Sequence, residues 1–71
     1  MAKNEQERQR IGQRFAEERK KAGVTQAELA ERCGLAQSHI ARIEAGRYSV
    51  GFDTLEVMAE GLGKRIDIVG D

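Results

Sequence analysis

Four side chains between positions 37 and 42 have the types and spacing to do chemistry together. Turned through about 100° per residue, a helix over residues 37–45 puts Ser38, Ala41, Arg42 and Ala45 on one side, with Gln37 and His39 flanking them near its start. Ile40, Ile43 and Glu44 gather on the opposite side. The outward set matches the donor and acceptor code of base edges in a duplex major groove. A Gln37 amide can pair with the N6 and N7 atoms of adenine, and the Arg42 guanidinium can fork onto O6 and N7 of guanine. Ser38 can reach either kind of edge, and Ala41 is small enough to admit a thymine methyl or to let the helix sit deep. Outside such a groove each of these would be an ordinary solvated side chain.

Candidate phosphate ligands flank this set. Thr25 and Gln26 stand at the predicted start of the preceding helix, where free backbone N–H groups and the helix dipole attract anions. His39 is a candidate for a phosphate or a base contact, and Arg47, Tyr48 and Ser49 follow as a polar loop that could reach the same groove. Phosphate contacts set register and the salt-dependent part of affinity, not sequence choice. Arg19 and Glu44 need another account: each lies on or beside an apolar stripe, where a lone charge is expensive, and pairing them resolves both. No nucleophile and base set is visible, no glycine-rich phosphate loop follows a strand, and Cys33 with His39 makes no metal-ligand pattern. The chain therefore reads as a non-enzyme with no catalytic residues, no metal and no cofactor. Cys33 reads as a small core residue on the inner face of its helix.

The elements that must position these residues centre on Thr25 to Gly46. Thr25 can cap a helix, with Glu28 three residues on closing a capping box. Leu29, Ala30 and Cys33 share a face, and Gly34 stops the helix by taking the left-handed conformation of a sharp turn. Leu35 plugs the turn, and the small Ala30 lets two steeply crossing helices approach. Upstream, Asn4 and Glu7 predict a helix starting near Glu5, with Ile11, Phe15, Arg19 and Ala22 on its inner stripe, ending at Gly23. Its remaining charges read as a solvated face of opposite pairs three or four apart. Downstream, Leu55, Met58, Ala59 and Leu62 predict a helix from Phe52 to Leu62. Gly61 within it marks either close packing or fraying, at a cost of about 1 kcal/mol against alanine. After Gly63 the period changes, and Ile66 and Ile68 alternate with Arg65 and Asp67 as in a short strand. No second strand exists in the sequence to pair with it, so the expected partner is the same strand across a two-fold axis; the alternative is a frayed tail. The division is thus a domain over residues 5–63 and a dimerisation element over 64–71.

The central pattern resembles the helix-turn-helix of the phage repressor and Cro family, with its many small bacterial regulators and antitoxins. The matching residues are Gln26, Leu29-Ala30, Gly34, Ile40, Ile43 and the closing Ile43-Glu44-Ala45-Gly46, and the resemblance runs from Ile11 through Leu62. It implies an all-α, four-helix, lambda-repressor-like domain that binds double-stranded DNA sequence-specifically. In this family the positions of Gln37, Ser38 and Arg42 read bases, and those of Arg19 and Glu44 form a bridge. Some members add a dimerising strand after the helices. The implied function is a transcriptional regulator, most simply a repressor, acting as a homodimer on an inverted repeat. The alternative is an antitoxin that holds a toxin protein; a third reading drops DNA and makes the domain a helical adaptor, and a controller protein for a restriction–modification system is a narrower form of the first. Where the family often has proline, Val50 stands here.

Composition limits these readings further. Seventy-one residues make one small domain, and 39% hydrophobic with 34% charged residues is the balance of a folded chain, not a disordered one. The formal charge is zero, which counts mildly against nucleic-acid binding. Distribution offsets this. Asp53, Glu56, Glu60, Asp67 and Asp71 come late, whereas residues 35–50 carry Arg42 and Arg47 against Glu44 alone. No apolar run reaches membrane-spanning length, no hydrophobic leader follows Met1, and a single cysteine fits a reducing cytoplasm.

Overall fold

The computed structural model describes residues 2–47 and 49–70, which form four helices in the order α1 (Ala2–Lys21), α2 (Gln26–Cys33), α3 (Gln37–Glu44) and α4 (Phe52–Gly61). Helix α3 lies against both α1 and α2, and α4 closes the far side of α2. Phe15, Val24, Leu29, Ala30, Ile40, Ile43, Met58 and Ala59 form one buried core, to which every helix contributes. Leu29, Ile40 and Met58 are fully enclosed. Leu35 packs half-buried against this core from the turn between α2 and α3.

Helix α1 starts earlier than the capping pattern predicts: Asn4 is inside the helix, not before it. Alanine, lysine, glutamate, glutamine and arginine all extend a helix readily, and nothing before Gly12 interrupts them. Glu7 accepts from the Arg10 guanidinium at 2.7 Å. Ala22 also departs from expectation, since it lies exposed in the turn after α1. Helix α2 begins with the complete capping box. The Glu28 N–H donates to Thr25 Oγ1 at 3.0 Å, and the Thr25 N–H donates to Glu28 Oε1 at 2.8 Å. Gly34 ends α2 at φ +69°, and the Leu35 N–H returns to the Ala30 carbonyl at 2.9 Å, which tightens the turn into α3.

Gly12 decides how closely α1 can seat α3. A Cβ built there would lie 2.5 Å from the Ile43 carbonyl oxygen and 2.6 Å from that of Glu44. The bare backbone of α1 thus touches the last turn of α3 directly. Gly61 is helical, and a Cβ there would meet Leu29 Cδ1 at 2.9 Å and Cys33 Sγ at 3.2 Å, so close packing against α2 is the reason for it. Cys33 itself is half-buried, with its thiol 3.5 Å from the Val57 carbonyl, and burial raises its pKa.

The C-terminal strand predicted from Ile66 and Ile68 does not form. Residues 64–70 have no regular secondary structure, and no strand occurs among the described residues. A strand needs a ladder of partners for its backbone groups, and a helical domain offers no open sheet edge. The expected pairing across a two-fold axis is equally without support in the structure. At its root the Lys64 N–H donates to the Ala59 carbonyl at 2.8 Å, Lys64 Nζ lies 3.8 Å from Glu18, and Ile66 lines the groove between α1 and α4. Beyond it, Ile68 and Val69 are 95% and 85% exposed.

Candidate nucleic-acid interface

Helix α3 is anchored by its inner face and leaves the other side bare. Ile40 and Ile43 sit in the core, while Gln37, Ser38, Arg42 and Ala45 are exposed and Ala41 and His39 are half-buried. The residues expected to read base edges therefore share one accessible face. Arg42 and Arg47 make no ion pair among the described residues, so both charges are available to an outside anion. The Arg47 N–H donates to the Arg42 carbonyl at 3.2 Å, which keeps the chain after α3 close to its end. Ser49 is exposed on the same loop, and Tyr48 lies outside the described residues.

The start of α3 has a feature that sequence reading missed. Its N-cap is Ala36, which has no side-chain hydrogen bond to offer. The His39 and Ile40 amides bond to the Ala36 carbonyl, which leaves those of Gln37 and Ser38 without a partner among the described residues. An uncapped helix start carries free donors and a partial positive charge, both suited to a phosphate. The signal in the sequence was the absence of Ser, Thr, Asp or Asn before Gln37.

Behind this face lies a buried polar group. Arg19 Nε donates to Glu44 Oε2 at 2.7 Å and Arg19 Nη2 to Glu44 Oε1 at 3.0 Å, a two-pronged pair with both side chains at least nine-tenths buried. Arg19 Nη1 also donates to the Val24 carbonyl at 2.8 Å, tying α1, the α1–α2 turn and α3 together. The hydrogen bond to Glu44 raises the Arg19 pKa above its already high ordinary value. Gln26, expected to face phosphate, instead donates from Nε2 to Glu44 Oε1 at 3.0 Å. Its side chain is half-buried, so its amide is oriented by the pair rather than free. Thr25 is exposed, and its hydroxyl oxygen accepts from the Glu28 N–H.

Gln26 at the start of α2 meets Glu44 at the end of α3, and the Arg47 N–H meets the Arg42 carbonyl, so both flanking segments are tied to the end of α3. The helix-turn-helix family model of the Cro/C1 type matches residues 15–69, which is most of the chain and includes all of α2, the turn and α3. The chain belongs to that family. It is accordingly a DNA-binding transcriptional regulator, and DNA is its partner. No curated protein and no solved structure gives a significant match. Among the described residues no helix is long and apolar enough to cross a membrane, and no group of His, Cys, Asp or Glu is placed to hold a metal ion.

Proposed function

We propose that this helix-turn-helix protein is a repressor that binds an inverted-repeat operator as a homodimer. The observation that carries the reading is the face of α3, where Gln37, Ser38 and Arg42 are exposed together with no internal partner for the Arg42 charge. In this reading Gln37, Ser38 and Arg42 contact bases, and Ala41 allows close approach. Thr25, His39, Arg47, Tyr48 and Ser49 hold phosphates, together with the free amides at the start of α3. Gln26 contributes through the α2 backbone, since its side chain serves Glu44. Two such helices related by a two-fold axis enter successive major grooves, which sets half-sites about 10–10.5 bp apart. Repression follows from occupying a promoter, as a binding function without a catalytic step, in a cytoplasm that keeps Cys33 reduced.

Selection of bound duplexes from a randomised library at physiological salt tests this. Enrichment of an inverted repeat is the expected result. Enrichment of an isolated half-site removes the dimer, and weak binding abolished by salt with no enrichment removes sequence-specific recognition.

One observation favours a second reading, in which the DNA-binding dimer also holds a toxin protein. The outer side of α4 exposes Phe52, Asp53, Val57 and Glu60, an acidic surface with a 58% exposed aromatic anchor. Co-purification of the tagged protein with the product of an adjacent gene, lost on Phe52→Ala, is the outcome that this reading requires.

A further inference from the structure

Of the four arginines on α1, three are held by carboxylates: Arg10 by Glu7, Arg14 by Glu18 and Arg19 by Glu44. Arg8 is the exception. It makes no hydrogen bond or ion pair among the described residues, although Glu5 stands three residues before it, and its Nε is buried without an acceptor. A half-buried guanidinium with no counter-charge is costly, and an outside anion meeting its Nη atoms relieves that cost.

Arg8 lines a recess of about 280 Å³ between α1 and the α3–α4 loop. Ser49 lines it from the loop, and Ile43 from the end of α3. A backbone contact fixes the two sides. A Cβ at Gly46 would lie 2.6 Å from Gln9 Cα, so the chain leaving α3 passes directly against α1 next to Arg8. Glu7, the other charged group of the recess, already accepts twice from Arg10. An uncompensated cation thus shares a recess with a hydroxyl of the loop read above as phosphate-binding.

We propose that Arg8 and Ser49 together hold one phosphate of the DNA backbone beside the end of α3. The inference rests on the reading of the α3–α4 loop as a phosphate contact, and it adds a helix whose charges read from sequence as a solvated face. A guanidinium and a hydroxyl both suit phosphate oxygens, and DNA is the partner of this family. The backbone rather than a free anion is the source because the loop is tied to the recognition helix, through the Arg47 N–H and the Arg42 carbonyl. A groove that takes α3 therefore brings its bounding strand past Ser49. The contact sets position and salt dependence, not base choice.

Fluorescence anisotropy of Arg8→Gln on preferred and scrambled duplexes across a salt series tests this. The affinity of both should fall roughly fivefold at physiological salt, and the slope of log affinity against log salt should fall by about one unit, as loss of one phosphate contact requires. Arg8 has no partner among the described residues, so the fold is retained by circular dichroism. Duplexes carrying one neutral methylphosphonate at a time locate the contact. One position should weaken the intact protein and leave both Arg8→Gln and Ser49→Ala indifferent. An unchanged slope, or sensitivity kept at every position by either variant, overturns the shared clamp while specific binding by the intact protein leaves the DNA reading standing. If inorganic phosphate shifts the Arg8 side-chain NMR signals and the slope of Arg8→Gln is unchanged, the recess takes a free anion and the duplex contact falls. An intact protein that binds neither duplex overturns the reading on which the clamp rests.

Discussion

Gly12 of α1 meets the Ile43 carbonyl at the end of α3 backbone to backbone, with no room for a methyl group: a Cβ at Gly12 would sit 2.5 Å from that oxygen. The contact sets the depth at which α1 supports the recognition helix. In an open helix Gly→Ala gains about 1 kcal/mol from propensity. Here the obstructing atoms are main-chain oxygens of a packed turn, which cannot swing aside, and overpacking of this kind costs about 1–3 kcal/mol. Gly12→Ala is therefore expected to lower the urea midpoint, and Gly12→Val to lower it further. A rise in midpoint for Gly12→Ala would show that α1 and α3 separate freely.

The buried pair makes a sharper prediction. Glu44→Ala leaves the Arg19 guanidinium buried with only the Val24 carbonyl and removes the acceptor for Gln26. Breaking such a pair on one side costs about 3–5 kcal/mol. Replacing both partners with apolar residues of similar volume is often close to neutral, so Arg19→Met with Glu44→Leu should recover most of the loss. Gln26 is half-buried and can turn to water when its partner goes. Urea denaturation of the two single variants and the double variant at neutral pH gives the comparison. Equal losses in the double and the singles would mean that the pair specifies the fold rather than merely avoiding an uncompensated charge.

How much of this was legible in the sequence depends on whether side chains or backbone carry the feature. Arg19 and Glu44 stand out because charges on apolar stripes demand partners. Thr25 and Glu28 stand out because a capping box has a fixed spacing. The exposed set of Gln37, Ser38 and Arg42 follows from helical periodicity, which the buried Ile40 and Ile43 pin. Gly12 gave no such signal, since a glycine among exposed charged residues has no periodic partner to betray a backbone contact. The uncapped start of α3 was easier to overlook than to misread, because its signal is the lack of a capping side chain at Ala36. Ile66 and Ile68 misled for a related reason: alternation reports two faces but supplies no hydrogen-bonding partner, and a helical domain has none to give.

The capping box of α2 predicts a pH signature. The Thr25 backbone N–H, with its hydroxyl second, holds the Glu28 carboxyl below the usual glutamate range. A depressed folded-state pKa contributes stability that is present above the unfolded pKa and is lost as pH falls through the folded value. Carboxyl carbon shifts followed by NMR should show Glu28 titrating below the ordinary value, and the contribution of the box should fade on acidification through that range. Thr25→Ala should destabilise the domain by about 1 kcal/mol at neutral pH while leaving Glu28 partly depressed, because the backbone donor remains. If Glu28 titrates at the ordinary value in the intact protein, the box is open in solution.

In the proposed reading, Arg42 and Arg47 should separate the two components of DNA recognition. Both are exposed and without ion pairs among the described residues, but Arg42 projects from the recognition helix and Arg47 from the loop after it. Arg42→Ala should cost about 1–3 kcal/mol on the preferred site and relax the choice at one base pair per half-site, since a forked contact discriminates its base by that amount. Arg47→Ala should weaken preferred and scrambled duplexes alike and reduce the slope of log affinity against log salt by about one unit, as loss of one phosphate contact requires. Fluorescence anisotropy on both duplexes across a salt series measures each quantity. Because α1 and the Arg19–Glu44 pair fix α3 independently of either arginine, neither substitution should disturb the fold, and a changed affinity reports on contact with DNA. If Arg42→Ala changed the salt slope and left base preference intact, the outward face of α3 would be lying along the backbone rather than in the groove.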